Sequence, residues 1–252
     1  MKEIMLLNKK EGETPLEALE RFRAKNKNYK DVKMTYAGRL DPLASGLLLV
    51  LAGEETKQKE KYLALTKEYK FSVLFGFATD TYDILGKVVE VAVVGQDLTT
   101  KELEKKIKDN LKFFTGKFQQ KYPMYSSKTV AGKPLFTYAR EGREVESPEH
   151  EVSVQSFKFF KIKKISAKKL LENIERRISK VKGDFRQKEI LKIWRKQLKG
   201  SKKHFFVADF NIKCGSGTYV RNIADSLGER VGAPALALSI KRTKIGNKGE
   251  VE

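Results

Sequence analysis

The sequence predicts an α+β fold, and three patterns predict it. Apolar side chains recur at period two at Tyr69, Phe71, Val73 and Phe75, and again at Phe206, Ala208, Phe210 and Ile212, as in strands that bury one face. A continuous apolar run from Leu47 to Ala52 stands between Gly46 and Gly53, as expected of a strand covered on both faces. Helix-start signatures and amphipathic stretches are interleaved with these strands along the whole chain, so helices and strands share one domain.

The first helix opens at Thr14-Pro15-Leu16-Glu17. Thr14 is its N-cap, Pro15 fits the first helical position, where an N–H would have no partner anyway, and Glu17 closes a capping box. Leu16, Leu19 and Phe22 then fall on one face. After the strands at Leu47 and Tyr69, Val88 to Val94 reads as a further strand. Thr99-Thr100-Lys101-Glu102 repeats the capping box, with Leu103, Ile107 and Leu111 along the helix behind it. The strand at Phe206 ends at Cys214-Gly215, and Val220, Ile223, Ala224 and Leu227 give an amphipathic helix that stops near Gly232.

Charge is the outlier. The chain holds 52 Lys and Arg against 32 Asp and Glu, a formal +20, which favours a polyanionic partner because each cation that meets a phosphate releases counterions. Most of the excess lies in residues 161–203, where 17 Lys and Arg face 4 Asp and Glu. Two helices fit that stretch: Leu170, Leu171, Ile174, Ile178 and Val181, then Ile190, Leu191, Trp194 and Leu198, with Asp184 and Gln187 as a capping box between them. It reads either as a solvated helical hairpin or as a basic paddle that grips phosphates beside an active site; the concentration of charge favours the paddle.

Charge alone does not separate nucleic acid from an anionic membrane, but the longest apolar run is strand-sized and the first residues are too weakly apolar for a signal peptide. The expectation is a soluble, cytoplasmic protein without a membrane partner. A single cysteine, Cys214, and two distant histidines, His150 and His204, exclude a disulfide framework and argue against metal chemistry.

The chemistry-bearing segment is Ala37-Gly38-Arg39-Leu40-Asp41-Pro42-Leu43-Ala44-Ser45-Gly46. Pro42 biases Asp41 towards an extended conformation, and the glycines permit a tight loop before the buried strand. An Asp-Pro pair taken alone is an ordinary turn. Three further segments follow in order: Lys67-Glu68-Tyr69-Lys70-Phe71 with Thr79-Asp80-Thr81-Tyr82-Asp83, Pro123-Met124-Tyr125-Ser126-Ser127-Lys128, and Cys214-Gly215-Ser216-Gly217-Thr218-Tyr219-Val220-Arg221.

Together these segments resemble the tRNA pseudouridine synthase B family, whose catalytic loop runs Gly-x-Leu-Asp-Pro-Leu-Ala-(Ser/Thr)-Gly. The resemblance implies the pseudouridine synthase fold, a mixed, mainly antiparallel bent sheet with flanking helices. It implies an isomerase acting on uridine 55 in the T-loop of tRNA, with base flipping, no cofactor and no metal. Asp41 maps onto the nucleophile, attacking either the ribose C1′ or the base. Tyr69 maps onto the tyrosine that stacks on the flipped base and takes part in proton removal. Arg221 maps onto the arginine that pairs with the nucleophile, supplying its counter-charge and fixing its orientation. Lys9, Asp83, Tyr125, Lys128, Arg140 and Ile240 fall on substrate-binding or cleft positions.

Departures from the family pattern bear on the substrate. Tyr36 stands at the position of a histidine that helps hold the flipped RNA. The basic segment, placed at about 161–204, reads as a helical insertion in a single catalytic domain spanning 1–252. The small C-terminal RNA-binding PUA domain of many members is expected to be missing, with the basic insertion supplying phosphate contacts in its place. The expected partner is the T-arm stem-loop of tRNA, bound by a monomer without guide RNA. The competing readings are an RNA-binding protein that has lost its chemistry, which the presence of Asp41, Tyr69 and Arg221 disfavours, and a guide-RNA enzyme within a protein complex, which the wording of the catalytic loop disfavours.

Overall fold

Thirteen strands and seven α-helices alternate along residues 3–92 and 99–249, the part of the chain that the computed structural model describes. In chain order the first are β1 (Ile4–Lys9), α1 (Pro15–Lys25), β2 (Met34–Ala37), β3 (Ala44–Ala52), α2 (Lys59–Leu63), β4 (Lys67–Phe75), β5 (Phe77–Thr79) and β6 (Val88–Val91). There follow α3 (Thr100–Asn110), β7 (Gly116–Lys121), β8 (Thr129–Val130), β9 (Lys133–Pro134), α4 (Leu135–Glu141) and β10 (Glu149–Ser166). The remainder comprises α5 (Ala167–Ile178), α6 (Gln187–Leu198), β11 (His204–Cys214), α7 (Val220–Val231), β12 (Ala235–Ile245) and β13 (Lys248–Gly249).

Nine strands make one sheet in the order β1-β3-β12-β4-β11-β10-β7, with β2 added to β3 and β13 to β12. All its pairings are antiparallel except β12 with β3, so the sheet is mixed and mainly antiparallel. The period-two pattern explains how it is covered. Tyr69, Phe71, Val73 and Phe75 of β4 and Phe206, Ala208, Phe210 and Ile212 of β11 share one face, packed under α3 and α7. Leu74, Phe205 and Val207 point the other way, into a second core completed by Ile174, Ile190 and Trp194 of α5 and α6. Each such buried side chain contributes about 1.5–3 kcal/mol over its exposed state, so the basic hairpin is a structural layer over the sheet.

Both capping boxes form, at Thr14 with Glu17 and at Thr99 with Glu102. Leu19 is buried as expected, but Leu16 is 58% exposed, and Ala18 takes the inward position beside it. The strand expected at Val88 to Val94 ends at Val91, and Val93 and Val94 lie outside the described residues. Residues 161–166 extend β10, paired with β11, and the helical part of the basic segment begins at Ala167.

The capping box expected from Asp184 and Gln187 does not form. Arg186 is the N-cap of α6, in the left-handed region with φ 62° and without a side-chain cap bond. The Gln187 side chain instead folds back, accepting from Phe185 N and donating to the carbonyls of Val181 and Gly183. Among the described residues no helix is long and apolar enough to cross a membrane.

Candidate active site

Asp41 lies in the loop between β2 and β3, and two buried cations hold that loop by its carbonyls. Lys9, at the end of β1, donates from Nζ to Pro42 O (3.2 Å) and Ala44 O (2.5 Å). Arg242, on β12, donates to Leu47 O (2.6 Å) and Gly38 O (3.1 Å). A third clamp is backbone: Gly12 N donates to Pro42 O at 2.9 Å. Gly46 closes the loop with φ 101°, and a Cβ there would lie 2.2 Å from Arg242 O, so only glycine fits where β3 meets β12. Asp41 is thereby fixed at its backbone, leaving its carboxylate to meet other partners.

The first of those partners is Arg221, at the start of α7. Its Nε lies 3.0 Å from Asp41 Oδ2. Its two remaining nitrogens donate to Thr81 O and Tyr125 O, each at 2.9 Å. A guanidinium carries five donors in a rigid plane, and here two carbonyls from separate loops hold that plane with Nε at ion-pair distance from the carboxylate.

Aromatic and apolar groups complete the site. Tyr69 on β4 is buried in register with Arg242 of β12, while Ile240 pairs with Phe71 on one side and with Ala44 on the other. Leu40, Ala44 and Tyr69 belong to one core cluster, against which Ile240 packs. Burial pushes the Tyr69 phenol up, with Arg242 beside it pulling the other way. The Asp41 charge is felt at Lys9, Tyr69, Asp83 and Tyr219, so these groups share one electrostatic neighbourhood. Burial lowers the Lys9 ammonium to about 8, Asp41 opposing.

The substrate-binding expectations divide. Lys9 is fully buried and spends its donors on the loop, so it shapes the backbone that carries Asp41. Asp83 accepts from Thr81 Oγ1 (2.8 Å) and Leu85 N (2.9 Å), and burial raises its carboxyl to about 6; it supports the loop beside Arg221. Tyr36 packs against the cluster of Met5, Leu19 and Val50 under α1 and is not among the groups gathered at Asp41. Tyr125 joins Arg221 through its carbonyl. Lys128 is exposed with Nζ 4.9 Å from the centre of the Tyr122 ring, and Arg140, also exposed, donates to Asp184 O in the hairpin turn at 3.3 Å. An open groove of about 720 Å³ starts at Asp80 and Tyr125 and runs along Arg143, Glu144 and Glu146.

Tyr219, Asp80 and Arg186 were not singled out as site residues by the sequence, and Arg242 is read there only within the closing segment Ile240-Lys241-Arg242. Asp80 and Tyr219 do lie inside the motif segments, whereas Arg186 is one cation among many in the basic run, and its place follows only from the fold.

Residues 25–183 match the TruB family pseudouridylate synthase (N terminal domain). The tRNA pseudouridine synthase B of Bacillus cytotoxicus is 31% identical over 246 residues, which is 98% of this chain and 66% of that protein. That of Lactobacillus acidophilus is also 31% identical, over 83% of this chain and 58% of that protein. The chain thus spans less than two thirds of the length of these relatives. Among solved structures, a Cbf5-Nop10-Gar1 complex aligns with 99% of this chain and 50% of the matched chain, with a TM-score of 0.56 and 16% identity. An H/ACA RNP bound to a substrate RNA containing 2′-deoxyuridine gives a TM-score of 0.53 at 15% identity, over 99% of this chain and 49% of its own. At such identities the likeness is one of fold.

Proposed function

The chain belongs to the TruB family of pseudouridylate synthases, and from that premise we propose that it converts uridine 55 in the T-loop of tRNA to pseudouridine, with Asp41 as nucleophile. The observation that carries the reading is the Asp41–Arg221 pair, a carboxylate open to a substrate beside a guanidinium fixed by two carbonyls. The reaction is an isomerisation. The N1–C1′ bond breaks, the base turns in the pocket, and a C5–C1′ bond forms while C5 loses a proton and N1 gains one. Asp41 attacks the ribose C1′ or the base to start it. Nothing is oxidised or added, so no cofactor is required.

A uridine can reach a carboxylate in such a site only if it leaves its stack, at a cost that is lower in a loop than in a duplex. Tyr69, Leu40 and Ile240 supply an apolar and aromatic surface for the flipped base. The exposed lysines of α5 and α6 would meet the RNA backbone, and the protein would act as a monomer on tRNA alone.

The test is pseudouridine mapping on an unmodified tRNA transcript incubated with the isolated wild-type chain and with Asp41→Asn. One new pseudouridine in the T-loop, made only by the wild type, supports reaction, target and nucleophile together. Product at another position overturns the target. Tight, salt-sensitive binding by both proteins without product favours an RNA-binding role, and product only in the presence of added guide RNA and protein partners favours the complex-bound mode.

A further inference from the structure

The turn between α5 and α6 reaches the arginine that holds Asp41. Arg186, in that turn, pairs with Asp80 at 2.7 Å (Nη1 to Oδ2), and its guanidinium lies 4.4 Å from the centre of the Tyr125 ring. Tyr125 O is one of the two carbonyl acceptors of Arg221, and Thr81 O, one residue beyond Asp80, is the other. Arg186 therefore grips both segments from which Arg221 takes its direction.

Its geometry sets Arg186 apart from a solvated surface cation. It holds φ 62°, a region that residues with a β-carbon rarely occupy, and it caps α6 without a side-chain cap bond. It is only partly exposed, whereas Lys182, Lys188 and Lys192 around it are exposed. The C-terminal end of α5 is keyed as well: Arg177 and Lys180 both pair with Glu11, next to the Gly12 whose N–H holds Pro42 O. The turn end of the hairpin thus meets the neighbourhood of Asp41 at two points.

We infer that Arg186 is a positioning residue for the reaction: by clamping Asp80 and Tyr125 it fixes the carbonyls that aim Arg221 at Asp41, and so makes the hairpin part of the active site. The inference rests on the reading of Asp41 and Arg221 as the reacting pair. Its expected consequence is kinetic, because displacement of a reacting group by about 1 Å can cost about a hundredfold in rate.

The test compares wild type, Arg186→Ala and Arg186→Lys on an unmodified tRNA transcript, measuring single-turnover pseudouridine formation and tRNA dissociation constants, together with crystal structures of wild type and Arg186→Ala. Arg186→Ala should slow the single turnover about tenfold or more while the dissociation constant stays within about threefold. Arg186→Lys, which keeps the charge facing Asp80, should recover much of that rate. An unchanged rate, or a loss confined to affinity, overturns the inference and leaves Arg186 a phosphate contact or a fastener of the hairpin. Should the wild type make no pseudouridine, the proposed activity fails on its own, and the crystal structures decide: an Arg221–Asp41 separation widened past the ~4 Å ion-pair limit supports positioning, and an unchanged separation overturns it.

Discussion

Arg221 Nε lies 3.0 Å from Asp41 Oδ2, yet the arginine side chain is 4% exposed and the aspartate 40%. The asymmetry would suit a reacting carboxylate: the counter-charge is locked into the protein while the Asp41 carboxylate stays open. Preorganised charge of this kind needs no reorganisation when the reaction begins.

Arg221→Lys tests that arrangement. An ammonium keeps the positive charge but cannot span Thr81 O, Tyr125 O and the carboxylate at once. The expected result is a single-turnover rate lower by about 10²–10³ with little change in tRNA affinity, measured by quench kinetics and filter binding. Equal losses in rate and affinity would place Arg221 in general RNA binding instead.

Lys9 gives a prediction with a sign. Its ammonium titrates at about 8 in the fold, against 10.5 for an ordinary lysine. Below pH 8 it is protonated in both folded and unfolded chains, and the fold carries the full cost of burying it. Between about pH 8 and 10.5 the unfolded chain holds the proton that the fold releases, so this group's contribution to stability rises with pH. Lys9→Met removes the titration but takes the side-chain donor from the Ala44 carbonyl, at about 1–3 kcal/mol, while Pro42 O keeps the Gly12 N–H. Wild type should therefore gain on Lys9→Met in melting temperature from pH 7 to pH 10. Lys67, whose ammonium burial also lowers to about 8, titrates in both proteins and cancels from the comparison. A constant gap between the two melting curves would contradict the assignment.

Asp225 on α7 carries the opposite sign. Burial, with Glu229 and Glu90 adding to it, raises its carboxyl to about 7 from an ordinary 3.8. The folded chain then holds a proton that the unfolded chain has lost, so the associated stability is present below about pH 4 and is lost as pH rises through 7. Asp225→Asn should raise the melting temperature at pH 8, and the gain should shrink towards zero by pH 4. A gain independent of pH would show that charge is not its cause.

Local chemistry explains how much of this was legible in the sequence. Thr14 with Glu17 and Thr99 with Glu102 form helix starts from neighbouring residues alone, and the alternation at Tyr69 and Phe206 records directly which faces are buried. Asp41 and Arg221 were legible as motif residues, though nothing between them in the chain shows that they meet. The burial of Lys9 was not legible, because it depends on β1 pairing with β3. The Asp184–Gln187 capping box failed for a similar reason. The pairing of Arg186 with Asp80, 106 residues away, accompanies a backbone turn that local preference would not choose.

The fold leaves a row of lysines on α6 exposed. Lys188, Lys192 and Lys196 repeat every four residues on α6, so they form one stripe about 12 Å long at ~1.5 Å per residue. All three are exposed, and none has a carboxylate partner among the described residues. Like charges at this spacing cost a helix a few tenths of a kcal/mol, so the stripe does not serve the stability of α6. It begins two residues beyond Arg186 and so starts at the edge of the site. Replacing all three lysines with glutamine should weaken tRNA binding at low salt and reduce the slope of log affinity against log salt by up to ~0.9 for each phosphate contact removed. The binding curves of variant and wild type should then converge at high salt, while the single-turnover rate at saturating enzyme stays close to wild type. If affinity and slope are both unchanged, the stripe is solvated surface, and the phosphates must be held elsewhere, with the exposed Lys128 and Arg140 the next residues to replace.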